Sequence, residues 1–337
     1  MCDFMQIERR ALYNALRMNW LLDPTLAVET WQVTDYRSLT LEELLNMLKD
    51  HDILLTKGEF IALSDDVDTP EDLTEELVDE LELSLEIQDQ IYLIIFEVWR
   101  RIVPQKRCLS IFCDELDHQI YLYDLEKIDQ IEPLEDAIAN LLVILDENVD
   151  QGEEPKEIFK VIGANCANDI ENFLHDFIAE QIDNDNDSYA VELLEGFDQY
   201  IENNRWFDFF KARVLAHANP IKANARIRSI LEETDTDPSL ELNLEMLSFM
   251  VQAGDNESFL RLVNLSIPLL ESEEDFQDLL AICSDYYLCL DLEEQEKRVE
   301  KLLASRKNKK LDAPFAKKDP QAAELLAILT TKQKKTI

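Results

Sequence analysis

The chain has 337 residues, 46% of them apolar, with 72 Asp and Glu against 32 Lys and Arg and a formal net charge of -40. Such a field repels nucleic-acid phosphates and anionic lipid heads, which excludes membrane as a direct partner and leaves nucleic acid only the basic tail to contact. With 5 glycines, the chain has little provision for tight β-turns or phosphate-cradling loops, and the composition predicts an all-α protein.

The length allows one large core or two ordinary ones. The pattern predicts an irregular acidic helical domain over 1–130, an α-solenoid-like array of antiparallel helix pairs over 131–306, and a flexible basic tail over 307–337 ending in a short helix. The opening MCDFMQIERR lacks the apolar run of a secretory signal. The longest apolar run, IYLIIF at 91–96, is far shorter than the roughly 18 residues that span a bilayer. A cytoplasmic protein is expected. Six cysteines, Cys2, Cys108, Cys113, Cys166, Cys283 and Cys289, show no CxxC spacing and read as buried free thiols.

Helices are predicted over 5–22 and 40–50, the second opened by Thr40 with Glu43 in a capping box. A single long helix follows over 70–102, entered by Thr69, Pro70 and Asp72 and striped by Leu73, Leu77, Leu81 and Leu85. Around it, residues 58–99 contain 14 acids and no Lys or Arg. Asp72, Glu75, Glu76, Asp79, Glu80 and Glu82 crowd one stretch. Like charges three and four apart repel by a few tenths of a kcal/mol per pair. A solvated face explains such a run, and so does an electrostatic seat for a cationic partner.

Residues 104–128 are ambiguous: SIFCDEL suits a helix, whereas QIYLYDL has strand-like aromatic and β-branched content. On a helix, CDELDH would put Cys113 with Asp117, and Asp114 with His118, on shared faces where zinc ligation or acid–base chemistry can be built. Two adjacent ligands do not complete a site. The segment WRRIVPQKRCLSIFCDELDHQIYLYD at 99–124 resembles uncharacterised acidic helical proteins of chlamydia-like bacteria, a likeness that implies no activity.

A polar break at 150–156 follows a helix over 133–149, and further helices are predicted over 166–182, 187–203, 205–217, 220–233, 238–252, 256–270, 273–289, 291–306 and 320–331. Asn219-Pro220, Asp237-Pro238 and Asp319-Pro320 each mark a helix start. In DNDNDSYAVELLE, Asp183, Asp185 and Asp187 alternate as in a calcium loop. Position 6 of that loop is Ser188 and position 12 is Leu194, so the turn glycine and the bidentate Glu are missing. Helix capping is the simpler role for these acids. Starts at 220 and 256, with AGDNESFLRLV, resemble tetratricopeptide-type hairpin repeats over 188–306 without their Trp, Leu-Gly and Tyr pattern, which implies stacked hairpins and no binding residues.

From residue 297 on, 12 Lys or Arg outnumber 4 acids. Lys307, Lys309, Lys310, Lys317 and Lys318 could fold back onto the acidic body or reach a separate anionic surface. GxGxxG, GxxxxGK and GxSxG are absent from the sequence. The expected function is therefore non-enzymatic: an adaptor, scaffold or chaperone-like binder, with no cofactor, whose acidic surface takes a basic or amphipathic polypeptide. The alternatives are a metal-dependent hydrolase, a calcium-regulated binder, or a secreted bacterial effector.

Overall fold

The computed structural model describes residues 8–79, 81–127, 130–202, 204–233 and 238–330. Among these, 18 α-helices and two 3-10 turns form and no β-strand does, apart from one isolated bridge, so the fold is all-α. Two compact units divide the chain: residues 1–174 with 199–201, and residues 175–198 with 202–337. The residues assigned from sequence to the array between 131 and 174 belong to the first unit.

The first unit holds α1 (Arg9–Leu22), α2 (Thr30–Val33), a 3-10 turn (Tyr36–Ser38), α3 (Leu41–Asp50), α4 (Lys57–Asp65), α5 (Pro70–Val78), α6 (Leu85–Ile102), α7 (Leu109–Asp124), α8 (Glu132–Asp150) and α9 (Pro155–Ala164). Helix α6 is the axis of its core. Every residue from Ile91 to Trp99 is buried, so the run IYLIIF is apolar all round because neighbours cover it on all sides. Glu97 is the one charged residue in this buried stretch. Arg100 and Arg101 donate to its carboxylate at 2.6 and 2.5 Å. Arg101 then reaches the carbonyls of Tyr36 and Arg37 at 3.1 and 2.9 Å, which latches the 3-10 turn onto α6.

The structure corrects the helix predicted over 70–102 and its leucine stripe, settles the ambiguous 104–128, and adds two helices. The helix predicted over 70–102 is two helices, because Ser84 accepts from the Ile87 N–H and caps a new start. Leu81 and Leu85, placed by sequence in one core stripe, lie 37% and 79% exposed at the break. QIYLYDL is helical: Cys113, Leu116, Asp117 and Ile120 recur at three and four and turn one face of α7 inward, which decides against a strand. Helices α4 and α9 fall where sequence suggested connections, α4 being opened by a complete capping box of Thr56 and Glu59.

The second unit is a stack of antiparallel pairs. Helix α10 (Ile170–Asp183), from His175 onward, pairs with α11 (Asp187–Phe197), α12 (Asn204–Ala218) with α13 (Pro220–Glu233), α14 (Leu240–Ala253) with α15 (Asn256–Ser266), and α16 (Glu273–Cys289) with α17 (Glu293–Arg306), before α18 (Pro320–Leu329). Successive first helices start about 33 to 36 residues apart. Helix α14 packs on both α12 and α16, and α13 on α15. Aromatic side chains carry these contacts: His175 stacks on Trp206, Phe209 meets Phe249 edge-on at 5.8 Å, and Phe259 stacks on Tyr286 at 3.7 Å. Pro220 and Pro320 start helices as expected, whereas α14 begins two residues beyond Pro238 and is capped by Ser239.

The linker expected to be mobile is tied to α16. Leu311 and Ala313 carbonyls accept from the N–H groups of Glu274 and Glu273, and Phe315 donates to the Glu271 carbonyl, so the strap satisfies orphan donors at a helix start. Behind it, Arg306 is 1% exposed and makes a bidentate pair with Glu273, at 2.6 and 2.5 Å, and a bond to Asp319 at 2.9 Å. Its guanidinium also lies over the Phe276 ring. Truncating Arg306 to Ala strands the buried Glu273 charge, and an urea titration of the variant should show a loss of about 3–5 kcal/mol.

Helix ends show how a chain poor in glycine stops its helices. Asp52, Glu126, Asp185 and Asp291 take positive φ between 53° and 62°, the left-handed position that glycine fills in most proteins. At Asp291 the pattern is complete: its N–H bonds the Leu288 carbonyl and the next N–H bonds that of Tyr287. After glycine, Asn and Asp are the residues that take this conformation most readily. In urea unfolding Asp291→Gly should add about 0.5 kcal/mol of stability, whereas Asp291→Val should cost more than about 1 kcal/mol, since a β-branched residue is strained there.

Candidate functional sites

Three places singled out by the sequence can be followed into the structure. The first is the acidic corner between α5 and α6. Thr69 caps α5 and Pro70 starts it, and Leu73, Thr74 and Val78 face inward, so Glu75, Glu76 and Asp79 are turned to solvent. Asp72 bonds the Thr69 hydroxyl at 2.7 Å, and Glu71 is occupied by Tyr92 and Ser110. Glu82 is exposed in the connection, beside the exposed Leu81 and Leu85; Glu80 lies outside the described residues. Among the described residues none of Asp72, Glu75, Glu76, Asp79 and Glu82 pairs with a cationic side chain.

Position along the helix matters for these acids. Asp72, in the first turn, is favoured by the helix dipole, whereas Glu76 and Asp79 stand at the C-terminal end, where negative charge is disfavoured by about 0.3–1 kcal/mol each. Local energetics alone would place lysine there.

The second place is CDELDH. Helix α7 carries Asp114 and Asp117 inward, 2% and 3% exposed. Asp114 accepts from Arg10 at 2.7 Å, Arg37 at 2.5 Å and Asn14 at 3.0 Å. Burial raises its pKa, but the two guanidiniums and the amide outweigh burial and hold it well below the usual carboxylate range. Asp117 accepts from the Ala167 and Asn168 N–H groups at 2.8 and 3.0 Å; burial nonetheless pushes its carboxyl up. Burial and the nearby Arg37 push the His118 imidazole down from its usual value. Cys113 is buried with its thiol 3.8 Å from the Ile162 carbonyl.

The space these groups surround is about 40 Å³, room for a few waters. Every charge there has a partner, so the arrangement joins α1, α7 and the 3-10 turn rather than holding a substrate. Among the described residues no group of three or more His, Cys, Asp and Glu side chains is arranged to hold a metal ion.

The third place is DNDND. Asp185 is the left-handed residue that closes α10, with the Asn186 N–H bonded to the Gln181 carbonyl. Asp183 pairs with Arg213, and Asp187 faces His217 Nδ1 at 3.0 Å. The three acids therefore serve separate partners and do not converge. Asp183 and Asp185 do border an open cleft of about 630 Å³ lined also by Phe249 and Gln252 of α14. That cleft was not legible in the sequence, because its walls come from residues about 70 apart.

Comparison with protein-family models, with curated proteins and with solved structures finds no match. No helix among the described residues is long and apolar enough to cross a membrane.

Asp114→Asn takes the carboxylate from Arg10 and leaves Arg37 only Glu115, at 3.0 Å, and should cost about 3–5 kcal/mol in urea unfolding. A carboxylate with a depressed folded pKa stabilises fully above its unfolded value of about 3.9 and loses that contribution as pH falls further. The wild-type chain should therefore lose stability more steeply than the Asn variant below about pH 4.

Proposed function

We propose that this chain is a non-enzymatic interaction module, an adaptor, scaffold or chaperone-like binder working in the cytoplasm, whose acidic α5–α6 corner receives a basic, amphipathic polypeptide. One observation carries the reading: exposed Glu75, Glu76, Asp79 and Glu82 lack cationic partners among the described residues, and exposed Leu81 and Leu85 belong to the same stretch of chain. A partner with lysines on one face and leucines on the other would neutralise the acids and cover the apolar side chains. Charge would speed encounter and select the sign of the partner, while the leucines would slow release.

Acids placed against a helix dipole support the same reading, since binding surfaces commonly retain groups that reduce stability. A face kept only for solubility has no need of acids at the helix end that disfavours them.

The test uses a fluorescein-labelled twelve-residue amphipathic helix of leucine and lysine, with binding followed by anisotropy. Glu75→Lys with Glu76→Lys and Asp79→Lys should weaken binding at least tenfold and, by relieving the dipole conflict, raise the melting temperature. A control reversing exposed Glu232, Glu257 and Glu300 to Lys changes net charge equally and should alter affinity less than threefold. Equal losses in both variants would mean that net charge, not this corner, recruits the peptide.

A further inference from the structure

The cleft of about 630 Å³ in the second unit falls within the roughly 300–1,000 Å³ typical of ligand sites. Its walls are the last turns of three helices: Ile182 and Asp183 end α10, Arg213 and His217 lie in the last turns of α12, and Ser248, Phe249 and Gln252 lie near the end of α14. Three first helices of successive pairs thus aim their C-terminal ends at one space, which the start of α13 at Pro220 also borders. The partial positive charge of that one N-terminus offsets only part of the partial negative charge of the three C-termini.

Side chains add to that field. Asp183 is taken by Arg213, whose guanidinium lies 5.9 Å from the Phe209 ring, and Asp187 by His217. Asp185 has no cationic partner among the described residues and projects from an exposed turn. With Arg213 already paired, the excess charge of the cleft is negative. Phe249 and Ile182 supply the apolar part of the lining.

We infer that this cleft is a second docking site, taking a short peptide segment in which Arg or Lys stands beside an apolar side chain. The cation sits among the three helix ends and Asp185, and the apolar neighbour covers Phe249. The inference rests on the reading of the chain as a binder of cationic polypeptides, yet it uses none of the residues of the α5–α6 corner.

Display of random heptapeptides against the immobilised full-length chain tests it. Selected peptides should be enriched in Arg or Lys next to Leu, Phe or Met. Their affinity should fall at least tenfold in Gln252→Lys and in Ser248→Trp, both at exposed positions, and about threefold in Asp185→Asn, which keeps a residue tolerant of positive φ. Melting curves confirm that each variant folds. The Glu75, Glu76 and Asp79 reversal should change these affinities less than twofold. Failure to select basic peptides, or selected peptides indifferent to the cleft variants, would overturn the proposal. Peptides lost only in the corner variant would overturn the cleft and leave the corner standing.

Discussion

Cationic side chains are the scarce component of this molecule, 32 against 72 acids, and their placement governs the rest. Arg10, Arg37, Arg101 and Arg306 are drawn inward to hold helices and turns together through carboxylates and carbonyls. A buried pair is costly to break because the remaining partner is left charged in a low-dielectric surrounding. Arginines committed in this way cannot neutralise the surface. Acids such as Glu75, Glu76 and Asp79 therefore remain open to solvent, and that vacancy of positive charge is what an outside partner can fill.

The surplus of acid also shapes the backbone. Capping boxes at Thr40 with Glu43, Thr56 with Glu59 and Ser272 with Asp275 satisfy the free N–H groups of helix starts. At helix ends Asp52, Asp185 and Asp291 replace the glycine that most chains use. Few glycines do not prevent tight closures here. They shift the work to aspartate, at a strain cost that the stacked pairs of the second unit tolerate.

Helical periodicity and capping residues made much of the fold readable before any coordinates: the boundaries of α3, α12 and α13 follow from Thr40, from the apolar spacing and from Pro220. Failures have local causes. Leucines at 73, 77, 81 and 85 keep a helical spacing straight through a break that only Ser84 marks, so one helix was expected where two exist. The capping box at Thr56 was present in the sequence, but Gly58 and weak periodicity hid the helix behind it. The basic stretch after Arg306 reads as linker from charge alone, whereas backbone bonds to α16 and the tilted contact of Phe315 with Phe276 hold it. Acid crowding at the α5–α6 corner is visible in the sequence; that its described acids pair with no described arginine is not, because ion pairs join residues far apart in sequence.

Both proposed sites follow from one claim: the key arginines are already paired, and among the described residues Asp185 and the exposed acids of the α5–α6 corner have no cationic partner. Dependence of the melting temperature on ionic strength measures this directly, since exposed charges are screened within about 10 Å at 0.1 M salt while buried pairs are screened far less. Raising sodium chloride from about 10 to 300 mM should relieve repulsion among the unpaired acids and increase the melting temperature. A melting temperature that falls over that range would show that surface ion pairs hold the fold together, and would contradict the account.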